Sequence, residues 1–145
     1  MNLSRPNYLS SLIRLSSKVC QLVSFSSFCI GLPQLKRLVV ACKHVGELRL
    51  FYCIISTPSI PNFSKTLINC QIQKLGLGGS GLPNCSDWKH NSDQFKNLIQ
   101  GLSSSPDLRS NLKEINLIYC GLTYTKTEQI LKESQLSAVK IIHRN

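Results

Sequence analysis

Apolar residues in this chain fall in short alternating bursts, each followed by a fixed pair of buried positions. The clearest burst is Leu112 to Leu122, where Leu112, Ile115, Leu117, Cys120 and Leu122 spell L-x-x-I-x-L-x-x-C-x-L. Ile115 and Leu117 alternate, so both point to one face of a short strand. Cys120 falls where the chain must turn, and a small thiol can sit there buried and hydrogen-bonded to backbone. Leu122 returns to the core. Val45 to Ile55 repeats every slot, with Leu48, Leu50, Cys53 and Ile55. Ile72 to Leu82 repeats it with Ser80 in the Cys slot. Cys20 to Ile30 keeps the frame, with Val23 and Phe25 in the strand and Phe28 in the Cys slot. Phe is large for a tight turn, so this unit reads as degenerate. Leu136 to Ile141 reads as a last strand without a complete turn. One such burst cannot bury its own apolar face, so the bursts imply stacked neighbours.

Between the bursts the period changes. Leu32, Leu35, Leu38, Val39 and Cys42 lie at helical spacing, Pro33 suits a first turn, and Gly46 offers a stop. Phe95, Leu98, Ile99 and Leu102 mark a helix over 93–103, capped by Ser92 or Asp93 and ended at Ser103-Ser104-Ser105-Pro106. A short turn then leads to the unit at 112–122. Ile130 and Leu131 mark a helix over 125–134, begun by Thr125 and Thr127-Glu128. Residues 56–64 hold Pro58 and Pro61 and exclude a regular helix, leaving Phe63, Leu67 and Ile68 to cover the core there. Residues 83–93 (PNCSDWKHNSD) are polar and turn-rich and read as an inserted loop. Residues 1–18, with Tyr8, Leu9, Leu12, Ile13 and Leu15 partly at helical spacing, read as a helical flank to one repeat domain over 19–145.

The equivalent strand positions are Val23, Leu48, Leu75, Ile115 and Val139, spaced by 25, 27, 40 and 24 residues. Three of these spacings lie within the roughly 20–29 residues of leucine-rich repeats, and the long one holds the polar loop. Over about 19–143 the chain resembles leucine-rich-repeat proteins of the ribonuclease-inhibitor-like, cysteine-containing subtype. The run Leu38 to Val45 followed by a Cys-containing unit is also similar to repeats of large ciliate families. The resemblance implies an α/β fold: a short right-handed solenoid with a parallel concave sheet and convex helices. It also implies binding to other proteins rather than chemistry. Phe28, Ser80, the helix-poor 56–71 segment and the small number of repeats depart from that pattern.

The strand frame then assigns the face away from the core. One row is Ser24, Arg49, Gly76, Asn116 and Lys140. The next is Ser26, Phe51, Gly78, Ile118 and Ile142. A third is Ser27, Tyr52, Gly79, Tyr119 and His143. Arg49, Phe51, Tyr52, Asn116, Ile118 and Tyr119 are the candidate partner contacts, because Arg and aromatic residues dominate interface hot spots. Gly76, Gly78 and Gly79 leave a gap between the aromatic pairs. The alternative for these residues is packing against a flanking segment or further repeats.

Composition changes the picture in two ways. Seventeen Lys and Arg against seven Asp and Glu give a net charge of +10. This attracts acidic surfaces and makes a module for nucleic acid the runner-up function. No run of three basic residues exists, however, and a solvated basic face accounts for the same charge. A third reading is a regulatory or adaptor arm of a larger enzyme such as a kinase or ubiquitin ligase. Seven cysteines, an odd count without a C-x-x-C pair, read as reduced thiols of a cytoplasmic protein. No apolar window is long enough for a membrane span.

Candidate chemistry is thin. Gly76 to Gly81 fits G-x-G-x-x-G, but a dinucleotide site needs a helix opening inside the motif, and Pro83 and a polar loop follow. His44 ends a helix, where a cation is favoured. Cys85 and His90 share a loop, yet two ligands do not make a zinc site. The expectation is a non-enzymatic protein with no cofactor, no catalytic residues and no metal.

Overall fold

The computed structural model describes residues 6–16, 21–83, 87–89 and 91–144. The elements run α1 (Pro6–Ser16), β1 (Leu22–Ser26), β2 (Cys29–Ile30), α2 (Leu32–Ala41), β3 (Glu47–Phe51), β4 (Ile54–Ile55) and β5 (Lys74–Gly76). They continue with α3 (Ser92–Ser103), α4 (Pro106–Asn111), β6 (Glu114–Asn116), α5 (Tyr124–Glu133) and β7 (Lys140–Ile142). This is a mixed α/β chain. β1, β3, β5, β6 and β7 form a parallel sheet in that order, and β2 and β4 pair in a second, two-stranded ladder.

The register follows the apolar frame. Val23 faces Leu48, Leu48 faces Leu75, and Leu75 faces Ile115. These side chains and those two places on (Phe25, Leu50, Leu77 and Leu117) are all buried. Each strand alone is too short to hide its apolar face, and hydrogen-bonded neighbours remove it from water together. Past the strands, Phe28, Cys53, Ser80 and Cys120 form a further buried row, and Ile30, Ile55, Leu82 and Leu122 another. The second ladder is built here, with Ile54 bridging on to Gly81.

The last strand differs from the sequence expectation. Ile141, not Val139, faces Ile115, which puts the equivalent position 26 residues on. Val139 lies in the preceding turn, its N–H donating to the Leu136 carbonyl. The slip is two residues, which keeps every side chain on its expected face but changes its row. Lys140 therefore sits beside Glu114 and Ile142 beside Asn116. The corrected row Glu47, Lys74, Glu114, Lys140 alternates in sign across adjacent strands, an arrangement that favours this register.

The connections differ too. α2 ends at Ala41 with Cys42 as its cap, short of Gly46. The hydroxyl that caps α5 belongs to Thr123, which accepts from the Lys126 N–H at 3.1 Å. The stretch expected as a turn after Pro106 is the helix α4. Buried Ser105 caps it by accepting from the Leu108 N–H, and donates to the Leu67 carbonyl at 2.8 Å. Residues 56–64 contain no helix, as Pro58 and Pro61 imply, none forms over 65–71 either, and Phe63 and Leu67 are buried while Ile68 is exposed. Side chains of the next unit satisfy this segment's backbone. Gln94 accepts from the Thr57 N–H, Ser104 Oγ from the Phe63 N–H, and Asn111 Nδ2 donates to the Cys70 carbonyl. A loop that borrows its partners this way can stay extended without stranding buried polar groups.

Gly101 lets that segment approach α3. A Cβ there would lie 2.7 Å from the Pro61 carbonyl oxygen. Helix propensity alone favours Ala over Gly by about 1 kcal/mol. Crowding against Pro61 reverses the sign, so Gly101→Ala should lose about 1–3 kcal/mol in urea unfolding. A stabilised variant would show that 56–64 does not rest on α3.

α1 lies at the β1 end. Ile13 is buried in the core, Leu12 packs partly against it, and the Arg37 guanidinium donates to Ser10 Oγ at 3.0 Å. No helix among the described residues is long and apolar enough to cross a membrane.

Candidate functional site

The turn after each strand places one residue in the left-handed region. Ser27, Tyr52, Gly79 and Tyr119 have φ of 63°, 55°, 69° and 60°. The four are register equivalents, joined from unit to unit by backbone bonds such as Tyr52 N–H to the Gly78 carbonyl and Gly79 N–H to the Ile118 carbonyl. Gly adopts this conformation at no steric cost, whereas a bulky side chain is strained there. Two tyrosines are nevertheless held in it. They are 62% and 53% exposed, so burial does not compensate them. Backbone hydrogen bonds to the next unit hold the two turns in place, and strained backbone held in this way recurs at functional positions.

The structure brings five of the six sequence-predicted contacts together. Phe51, Tyr52, Asn116, Ile118 and Tyr119, with Gly78 as floor, line one hollow of about 200 Å³. The sixth, Arg49, lies over the Phe51 ring at 5.7 Å and is held from the other side by the Glu47 carboxylate. The expected glycine gap is narrower than the sequence implied. The Phe51 ring leans over Gly76, where a Cβ would come within 2.7 Å of it, and the Tyr52 ring lies on Gly79 in the same way. Only the space above Gly78 stays open. Among the described residues no flanking segment covers the two tyrosine rings. The two-residue slip of β7 takes His143 out of the Tyr119 row. Its Nε2 instead meets the Leu122 carbonyl at 2.6 Å, with the ring edge-on to Tyr124.

Tyr119 is also one wall of a second, larger cleft of about 710 Å³. Its other lining side chains include Asp87, Lys89, Ser92, Thr123 and Lys126. Sequence reading missed this cleft, because residues that line it come from a loop without periodicity and from the start of α5. A signal was present: Gly121, with φ of 74°, admits Asp87, whose carboxylate a Cβ would strike.

Beneath the face runs a row of buried donors. The Cys53 thiol reaches the Phe25 carbonyl at 3.6 Å, Ser80 Oγ donates to the Leu50 carbonyl, and the Cys120 thiol reaches the Leu77 carbonyl at 2.9 Å. Each bonds the strand before its own. Burial pushes the Cys53 thiol up to about 11 and the Cys120 thiol up to about 12. These thiols are held protonated and serve as donors to main chain. Phe28 fills the same slot in the first unit and is buried, its ring edge-on to Phe25 at 5.7 Å. β1 is the edge of the described sheet, so no preceding carbonyl calls for a donor there, and a ring that covers the core end suits the slot.

The remaining sequence candidates separate. The G-x-G-x-x-G run passes from β5 through a turn into the bridge at Gly81, and the next helix opens only at Ser92. His44 lies in the turn after α2, on a polar hollow with Gln71, Gln73 and Asn111. Cys20, Cys85 and His90 lie outside the described residues. Among the described residues no three His, Cys, Asp or Glu side chains group as metal ligands. Comparison with protein families, curated proteins and solved structures finds no match to this chain.

Proposed function

We propose that this chain is a short right-handed leucine-rich-repeat solenoid that acts as a non-enzymatic scaffold and binds another protein on the concave face of its parallel sheet. One observation carries the reading: Tyr52 and Tyr119 are held exposed in strained left-handed backbone on either side of an apolar hollow. Aromatic side chains offer large contact area at low conformational cost, and a shared hollow gives a partner side chain somewhere to desolvate. The sequence-order parallel sheet and the repeated donor row support the solenoid part of the reading.

The runner-up, a basic surface for nucleic acid, has the net charge in its favour. Against it, the charged row on the sheet face, Glu47, Lys74, Glu114 and Lys140, alternates in sign and offers a phosphate backbone no continuous basic stripe. Affinity capture from cell extract separates the two. Proteins retained by the native chain should be lost by Tyr52→Ala/Tyr119→Ala and kept by Lys36→Ala/Lys65→Ala, which changes charge away from the sheet. Retention of every partner by the tyrosine variant defeats the docking face. Capture that nuclease abolishes transfers the case to nucleic acid.

A further inference from the structure

The hollow and the larger cleft share Tyr119 but differ in chemistry. The hollow is walled by Phe51, Tyr52, Ile118 and Tyr119. The cleft beyond Tyr119 presents Lys89 and Lys126 and the hydroxyls of Ser92 and Thr123. Among the described residues Asp87 is its one carboxylate; Oδ1 accepts from the Lys89 N–H at 2.8 Å, and the two lysines leave the lining with a net positive charge. α5 opens on this cleft, and its first turn holds no acidic residue, so the positive end of its dipole is not offset there. The chain as a whole carries +10.

Resting on the docking face above, we infer that its partner is an extended acidic peptide segment of another protein. One apolar side chain of that segment enters the hollow at Gly78, and a carboxylate enters the Lys89–Lys126 cleft. Spacing follows from the sheet. The turns that hold Tyr52 and Tyr119 follow strands two apart in the sheet, about 10 Å, and Tyr119 also walls the cleft. An extended chain advances about 3.3 Å per residue, so the carboxylate belongs two to four residues from the apolar anchor. Charge complementarity selects this occupant over a neutral one. The carboxylates of the Glu47–Lys74–Glu114–Lys140 row stand at the other end of the strands, clear of such a segment.

The test is selection from a random peptide display library on three folded proteins: the native chain, Lys89→Glu/Lys126→Glu, and Tyr52→Ala/Tyr119→Ala. Circular dichroism checks that the variants fold. The native chain should enrich an aliphatic or aromatic residue with Asp or Glu two to four places away on one side of it. A synthetic peptide of that sequence should bind the native chain more weakly as salt rises, and at low salt should bind Lys89→Glu/Lys126→Glu at least about tenfold more weakly than the native chain. Apolar peptides that bind both equally overturn the acidic partner and leave the docking face standing. If the native chain selects nothing that the tyrosine variant does not also select, both readings fall. Tighter binding of a labelled oligouridylate than of any selected peptide overturns the peptide in favour of RNA. A dimer in sedimentation that Tyr52→Ala dissolves overturns it in favour of a second copy of the chain.

Discussion

Trp88→Ala should cost about 3–5 kcal/mol of unfolding free energy, the range for removing a large buried aromatic. The indole is fully buried and packs against Phe95 at 5.3 Å, on the first turns of α3. Its backbone N–H donates to the Cys120 carbonyl at 2.9 Å, which ties the polar loop to the turn after β6. Alanine leaves a cavity between the two, and the flanking Asp87 and Lys89 lose the anchor that aims them at the cleft. Trp88→Phe should be close to neutral. It keeps most of the apolar volume, and the indole N–H it removes has no acceptor among the described residues. Trp88 is the only tryptophan, so the comparison is made by circular dichroism in urea rather than by fluorescence. A loss below about 1 kcal/mol for the alanine variant would show that the loop hangs free of the core.

That loop marks where sequence reasoning stopped. In PNCSDWKHNSD the one large apolar side chain has polar neighbours on both sides, so no period reveals that it points inward. The strand frame was legible for the opposite reason. Leu48, Leu50, Leu75, Leu77, Ile115 and Leu117 alternate within bursts, and burial on one face is the only arrangement that hides them together. Alternation is blind to a shift of two, however. Val139 and Ile141 are both apolar and share a face, and only backbone pairing to Ile115 separates them. The candidate site was accordingly legible as a face but not as a shape. Phe51, Tyr52, Asn116, Ile118 and Tyr119 could be placed outward by counting, whereas the rings folding over Gly76 and Gly79 could not. α4 escaped because Ser105 and Pro106, a cap and a first-turn residue, also compose an ordinary loop.

The buried donor row makes stability fall in alkali. Unfolded, a cysteine thiol ionises near 9.0, while in the fold burial raises Cys53 to about 11 and Cys120 to about 12. The native state therefore holds both protons where the unfolded chain has released them. The thiol contribution is fully present below pH 9 and is lost as pH rises through 11 and 12. One unit of differential ionisation is worth about 1.4 kcal/mol per thiol, so roughly 5 kcal/mol is the ceiling for the pair by pH 11. A paired variant isolates the thiols. Ser80 already occupies the equivalent slot and donates to the Leu50 carbonyl, so serine fits the row. Cys53→Ser/Cys120→Ser should fold at pH 8 with a loss of about 1–3 kcal/mol, since serine keeps the donor but is smaller. Between pH 8 and 11 its stability should fall by several kcal/mol less than that of the native chain, both measured in urea with reductant present. Parallel curves would mean that these thiols ionise alike in both states, and then the row is not sealed from water and the sheet does not close over Cys53 and Cys120 as described.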